Sequence, residues 1–389
     1  MNVLMLFSHR WRGGRAGGAE IHAIDLIKGL AAKGHSIVLV TGKIDDGCRR
    51  GPADGVAAHF ELPFQTINPF DSLKIHRRLT EIVAEHRIEI VHAHHQTGAY
   101  LADRLWRRKH IPYVVTVHGP WHSALFKKAN YKAFRRLVAV SDSLRQLLIT
   151  GFLVPPDRIR TIQNGVDPRR FEGISSIEAA RIRAAFGVGA DEIVLSLIGR
   201  IAKAKGHFDL LNALKLLPPD LPYRCLIVGE GRDRVRARLE RLAESLGLKR
   251  KVTFCGYQSF SNIPVVLAAT DILLLPSHRE GLPLSIVEAM LSNVPVIAAT
   301  VGGVPEIITH GQNGLLFQAG DIATLATLIR RLSGDMNLRR QLAQAGHCTA
   351  TERFLVARMV DETDAYYQAI LNESTSTANV RSTHSARQR

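Results

Sequence analysis

The chain has 389 residues, more than one domain usually holds, and its 46% hydrophobic and 22% charged content describes a globular protein with substantial cores and excludes a disordered chain. Its formal net charge is +16, unevenly placed: residues 1–170 hold 26 Lys and Arg against 14 Asp and Glu, and the remainder 25 against 21. A field of that sign in one half favours an anionic partner (a phospholipid surface, a phosphorylated acceptor or nucleic acid), or is a solvated basic face with no partner. No apolar run approaches the roughly 20 residues that cross a bilayer.

In chain order, the apolar run from Asn2 to Ser8 has no basic segment before it and reads as a first strand. Ile21–Ala32 then carries apolar residues at helical spacing, and strands are predicted at Ile37–Thr41, Ile88–Ala93, Tyr113–His118 and Leu137–Ser141. The alternation restarts after a boundary near Gly165–Val188, with strands at Ile193–Gly199, Tyr223–Gly229, Val252–Gly256, Ile272–Ser277 and Val296–Thr300. Strands alternating with helices predict parallel sheets covered by helices, hence two doubly wound Rossmann-like lobes. The expected layout is a first domain over 1–170, a linker over 171–190, a second domain over 191–352, a C-terminal helix over 353–371 and a disordered tail over 372–389, rich in Ser, Thr and Arg. The four cysteines, Cys48, Cys225, Cys255 and Cys348, lack metal-ligand spacing and fit a reducing cytosol.

Ligands of such sheets bind beyond the carboxyl ends of the strands. The segment from Pro276 to Met290 leaves a strand and opens a helix, with Glu280 in the loop and Glu288 about one turn into the helix. Both acids then face one mouth, with free N–H groups near Leu284 and Ser285 offering an anion site between them, a pattern suited to a sugar nucleotide. Taken alone, Glu288 is equally an acid favoured by the helix dipole. Gly199-Arg200 and Lys205-Gly206 put two cations at another strand end, suited to a departing diphosphate or to solvent. Val228-Gly229-Glu230-Gly231 ends a further strand, either for close backbone approach to a nucleotide or as a simple turn.

In the first half, Gly13-Gly14 and Gly17-Gly18-Ala19-Glu20 form a loop whose N–H groups could reach phosphate, or a long flexible turn. His118 ends a strand, either to bond a sugar hydroxyl or in a structural role. His92, His94 and His95 crowd a neighbouring strand end; adjacent residues on a strand face opposite ways and no carboxylate completes a set, so no metal is expected. His94, His95 and Trp121 are acceptor-side candidates. Trp121 lies in a basic, aromatic-interleaved region from Arg104 to Arg136 that could rest on an anionic leaflet or hold an anionic acceptor; cations snorkelling over buried aromatics explain it as well.

The ordered set of Gly17-Gly18-Ala19-Glu20, Asn164-Gly165-Val166-Asp167 with Phe171, Gly199-Arg200, Lys205-Gly206, Val228-Gly229-Glu230-Gly231, Glu280 with Glu288, Gly302-Gly303-Val304-Pro305-Glu306 and Asn313-Gly314 resembles the family-4 glycosyltransferases of GT-B architecture over nearly the whole chain. The resemblance implies two Rossmann-like lobes facing across a deep cleft, with a C-terminal helix crossing back to the first. It implies a nucleotide-sugar donor, UDP- or GDP-linked, and a glycan, lipid-linked or other hydroxyl acceptor in cell-surface polysaccharide or lipopolysaccharide assembly. Transfer would retain anomeric configuration through front-side attack. Arg200 and Lys205 would hold the diphosphate, Glu288 the ribose, Glu280 the transferred sugar, and Gly17, Gly18, Gly229, Leu284 and Ser285 would add backbone contacts. His118 would reach the sugar. No cofactor or metal, no nucleic acid and a cytoplasmic place, peripheral on the inner membrane face, are expected. An epimerase of the same fold, distinguished by turnover without acceptor, and a basic nucleic-acid- or membrane-binding protein are the rivals; a nicotinamide enzyme lacks its complete glycine fingerprint here.

Overall fold

The computed structural model describes residues 1–7, 17–42, 54–64, 69–120 and 130–386. The chain divides into two compact units: Met1–Asn164 together with Val356–Arg389, and Gly165–Leu355.

In the first unit the elements run β1 (Asn2–Phe7), α1 (Gly18–Ala32), β2 (Ser36–Thr41), β3 (Ala58–Glu61), α2 (Pro69–Glu85), β4 (Ile90–Ala93), α3 (Gln96–Lys109), β5 (Tyr113–Val117), β6 (Leu137–Ala139), α4 (Asp142–Phe152) and β7 (Ile159–Thr161). Seven strands form one sheet in the order β3-β2-β1-β4-β5-β6-β7, and every pair is parallel. Val3, Leu4, Met5 and Leu6 are fully buried, the continuous apolar run of a strand covered on both faces. The chain leaves β1 towards β2 on one side and returns to β4 on the other. The carboxyl ends of β1 and β4 therefore flank the switch point where such sheets open a ligand crevice.

The second unit runs α5 (Ser176–Ala185), β8 (Ile193–Ile198), α6 (His207–Lys215), β9 (Tyr223–Val228), α7 (Asp233–Ser245), β10 (Val252–Gly256), α8 (Ile263–Ala268), β11 (Ile272–Leu275), α9 (Leu284–Leu291), β12 (Val296–Ala299), α10 (Val304–Ile307), β13 (Leu315–Phe317), α11 (Ile322–Gly334) and α12 (Met336–Arg353). Its six parallel strands stand in the order β10-β9-β8-β11-β12-β13, with the switch point between β8 and β11. Its core joins Leu195, Leu197, Ile227 and Ile272 to Leu210, Leu214, Leu239 and Ile329.

The segment expected to be a linker belongs to this unit. A backbone bridge joins Val166 to Leu355, and Arg170 is stacked on Phe260, so the division falls at Asn164 and Gly165 instead of after residue 170.

A last helix, α13 (Val356–Ala386), returns to the first unit. Met359, Val360, Tyr367 and Ile370 join Val3, Met5, Leu26 and Leu30 in its core. The expectation of a disordered tail over 372–389 is corrected as far as Ala386: helical hydrogen bonding continues through residues that lack an apolar period.

Candidate functional site

The predicted residues of the second unit gather at the switch point. β8 ends in Gly199-Arg200, β9 in Gly229, and β11 in the loop that carries Glu280 to α9. Two glycines let backbones close around that loop. Gly206, at φ +69°, leaves no room for a Cβ, which would sit 1.8 Å from the Pro276 carbonyl oxygen; at Gly302, φ +51°, the Cβ would sit 2.0 Å from the carbonyl oxygen of Glu280. The Gly303 N–H also donates to the Gly281 carbonyl at 2.8 Å. The Glu280 loop is thus pinned from both sides by backbone.

Both acids are committed to cations. Lys205 Nζ donates to Oε1 and Oε2 of Glu280 at 2.7 and 2.9 Å, and Arg170 Nη1 donates to Glu288 Oε1 at 3.2 Å. Each carboxylate side chain is only 7% exposed. Burial raises the pKa of Glu288 from its ordinary value, and Arg170 pulls it back down. Arg200 is exposed and forms no ion pair among the described residues. Leu284 and Ser285 open α9 behind Pro283, where the first-turn N–H groups have no helical acceptor. A charge-lined cradle with an exposed arginine and an open helix start suits an anion linked to hydroxyl-bearing groups.

Sequence reasoning missed Arg170. It lies 118 residues from Glu288, in a 3-10 turn whose pattern carries no strand or helix signal, and its guanidinium is also 3.4 Å from the Phe260 ring centroid.

At the switch point of the first unit, β1 is followed by Gly17 and α1, β4 by His94 and His95, and β5 by His118. The Gly17 N–H donates to Glu20 at 2.6 Å. It therefore caps α1, and both Gly17 and Gly18 are exposed. Gly13, Gly14 and Trp121 fall outside the described residues.

The histidines form a connected group. His94 Nδ1 and His118 Nε2 are 3.3 Å apart, and His22 reaches them from α1, its ring centroid 4.8 Å from that of His118. His92 stacks on His94 at 4.3 Å and is itself held by Thr116 Oγ1 at 2.7 Å and by the Tyr367 hydroxyl of α13. Burial lowers the pKa of His22 to about 4, with Asn164 opposing, and that of His92 to about 3. It holds His94 and His118 well below the ordinary value as well. His22 lies on a helix, away from the strand ends where the sequence singles out histidines; the signal was a histidine sharing the buried helical face of Ala23, Leu26 and Leu30.

Comparison with known proteins identifies the family. The family described as "Glycosyltransferase Family 4" matches residues 16–170, and that described as "Glycosyl transferases group 1" matches residues 178–347. A putative glycosyltransferase of Bacillus subtilis, EpsD, is 31% identical over 82% of this chain and 87% of its own length. The N-acetyl-alpha-D-glucosaminyl L-malate synthase of Bacillus anthracis is 27% identical over 92% of this chain and 95% of its own. The fold is similar to that of Anabaena HepE, solved in complex with UDP and glucose, at a TM-score of 0.81 and 23% identity over 95% of this chain and all of that one. With two parallel-sheet units and these relatives, the chain belongs to the family-4 glycosyltransferases of GT-B fold and is a glycosyltransferase.

Proposed function

We propose that the second unit binds a nucleotide-sugar donor, UDP- or GDP-linked, and that the sugar passes to a hydroxyl acceptor with retention of configuration. The acid pair carries this reading: two buried carboxylates, each held by a cation, stand at one switch point beside Arg200, which is exposed and forms no ion pair among the described residues. Glu288 takes the ribose hydroxyls by exchanging its bond to Arg170, and Glu280 takes hydroxyls of the transferred sugar. Arg200, Lys205, Gly229 and the N–H groups of Leu284 and Ser285 receive the diphosphate.

In the step itself the bond from the anomeric carbon to phosphate oxygen breaks, and the acceptor oxygen bonds that carbon on the same face. The acceptor proton moves to the departing phosphate, whose charge Arg200 and Lys205 offset. No residue serves as nucleophile and no step calls for a metal. His118 is assigned a hydrogen bond to a sugar or acceptor hydroxyl, and Gly18, His94 and His95 stand at the same switch point of the first unit. Binding of UDP and glucose by HepE supports the donor class. The malate-linked product named for the Bacillus anthracis relative, together with the basic first 170 residues, supports an anionic acceptor or membrane surface in glycan assembly.

The test is NMR of the product made from an α-linked donor. An α-linked product with release of the nucleoside diphosphate is expected; a β-linked product contradicts retention, and donor turnover without acceptor supports the epimerase.

A further inference from the structure

The donor chemistry uses only one of three imidazoles that meet in the first unit. His22 on α1, His94 after β4 and His118 after β5 each present a ring nitrogen within 4.8 Å of the other two. We propose that His22, His94 and His118 form a binding site for a transition-metal ion of the Zn²⁺ class, with its open position on the half-buried side of His118. Metal–nitrogen bonds of about 2.0–2.1 Å put two ligands of a tetrahedral ion about 3.4 Å apart. The 3.3 Å between His94 Nδ1 and His118 Nε2 matches that edge.

Chemistry and surroundings agree with the geometry. An all-imidazole set selects Zn²⁺, Cu²⁺, Ni²⁺ or Co²⁺ over Mg²⁺ and Ca²⁺, which prefer oxygen. His22 is 2% exposed and both its ring nitrogens lack a hydrogen-bond partner among the described residues, leaving it a ligand atom to offer beside His94 Nδ1 and His118 Nε2. The rings do not need to be found by folding around the ion. His92, fixed by Thr116 and Tyr367, backs His94 from one side, and the fixed wall serves as the outer shell that orients ligands. Three protein ligands with an open fourth position describe an exchangeable ion, unlike the closed four-ligand set of a structural zinc. The competing account is a plain hydrogen bond between His94 and His118 with His22 packed against it.

The experiment uses the untagged 389-residue chain, stripped with chelator and titrated with Co²⁺. Stoichiometric uptake is expected, with the intense visible bands of a low-coordinate cobalt site, displaced by Zn²⁺ and indifferent to excess Mg²⁺. His22→Gln and His94→Gln should each weaken uptake by more than the roughly 10- to 100-fold that loss of an outer-shell partner produces, with near-UV circular dichroism unchanged. If His94→Gln does not fold, His22→Gln decides. Absence of uptake by the parent chain, or undiminished uptake by a folded His22→Gln variant, overturns the site. Loss of turnover on zinc addition rests on the role proposed for His118; cobalt uptake with unchanged turnover keeps the metal site and overturns that role instead.

Discussion

Glu288 and Arg170 show what a single buried pair demands. Both side chains are largely out of water, so removing one partner strands the other. Arg170→Ala is expected to destabilise the second unit by about 3–5 kcal/mol in denaturant unfolding, and adding Glu288→Gln should recover much of that loss, because the orphaned charge goes with it. Additive losses would mean that the pair is not coupled.

His207 supplies a pH dependence in the same unit. Burial lowers its pKa from 6.5 to about 4, with Lys205 adding to the effect and a bond to the Ala202 backbone opposing it. Between those two values the unfolded chain binds a proton that the folded chain refuses, so stability falls as pH drops from about 6.5 towards 4 and is fully present above 6.5. At about 1.4 kcal/mol per unit the whole window is worth about 3 kcal/mol. Unfolding midpoints measured across it should fall for the parent and fall less for His207→Asn; equal slopes would show that other groups carry the effect.

At the scale of elements, α13 is held on α1 by close approach. A Cβ on Gly29 would come within 2.3 Å of Val360 Cγ2, so Gly29→Val should force the helices apart and lower the melting temperature of the first unit, whereas Gly34→Ala, where a Cβ meets nothing within 4 Å, tests only the φ of +86°. A Gly29→Val protein as stable as the parent would show that α13 can slide.

The central strands were legible because a strand buried on both faces is an apolar run bounded by turn residues. Val3–Phe7 and Ile193–Ile198 are such runs. β3, β7 and β13 were not: they are only three or four residues long, too short for a strand pattern to stand out, and each lies at a sheet edge. Of the proposed donor cradle, Glu280, Arg200 and Lys205 could be read beyond strand ends and Glu288 in the helix that follows one. Their pairing could not, because Arg170 and Lys205 meet their acids across 118 and 75 residues. The helical continuation past Asn372 was equally hidden in a polar composition.

Over the whole molecule, no helix among the described residues is long and apolar enough to cross a membrane, and most of the excess positive charge sits in the first 170 residues. Sedimentation with vesicles containing phosphatidylglycerol should capture the protein at low salt, with binding falling as the screening length drops below about 8 Å above physiological ionic strength. Equal binding to neutral vesicles would point away from charge, and no binding at physiological salt would remove the membrane surface as partner.

The central claim is a preformed donor cradle in the second unit. Its most direct test is the thermal stability of the purified chain with UDP, GDP, ADP and CMP and their common sugars, repeated on Glu288→Ala and Arg200→Ala. One nucleotide class at 100-fold excess over its dissociation constant should add about 2.7 kcal/mol of stability, and both variants should lose that gain. Stabilisation that persists in both variants, or none with any nucleotide, would contradict the cradle.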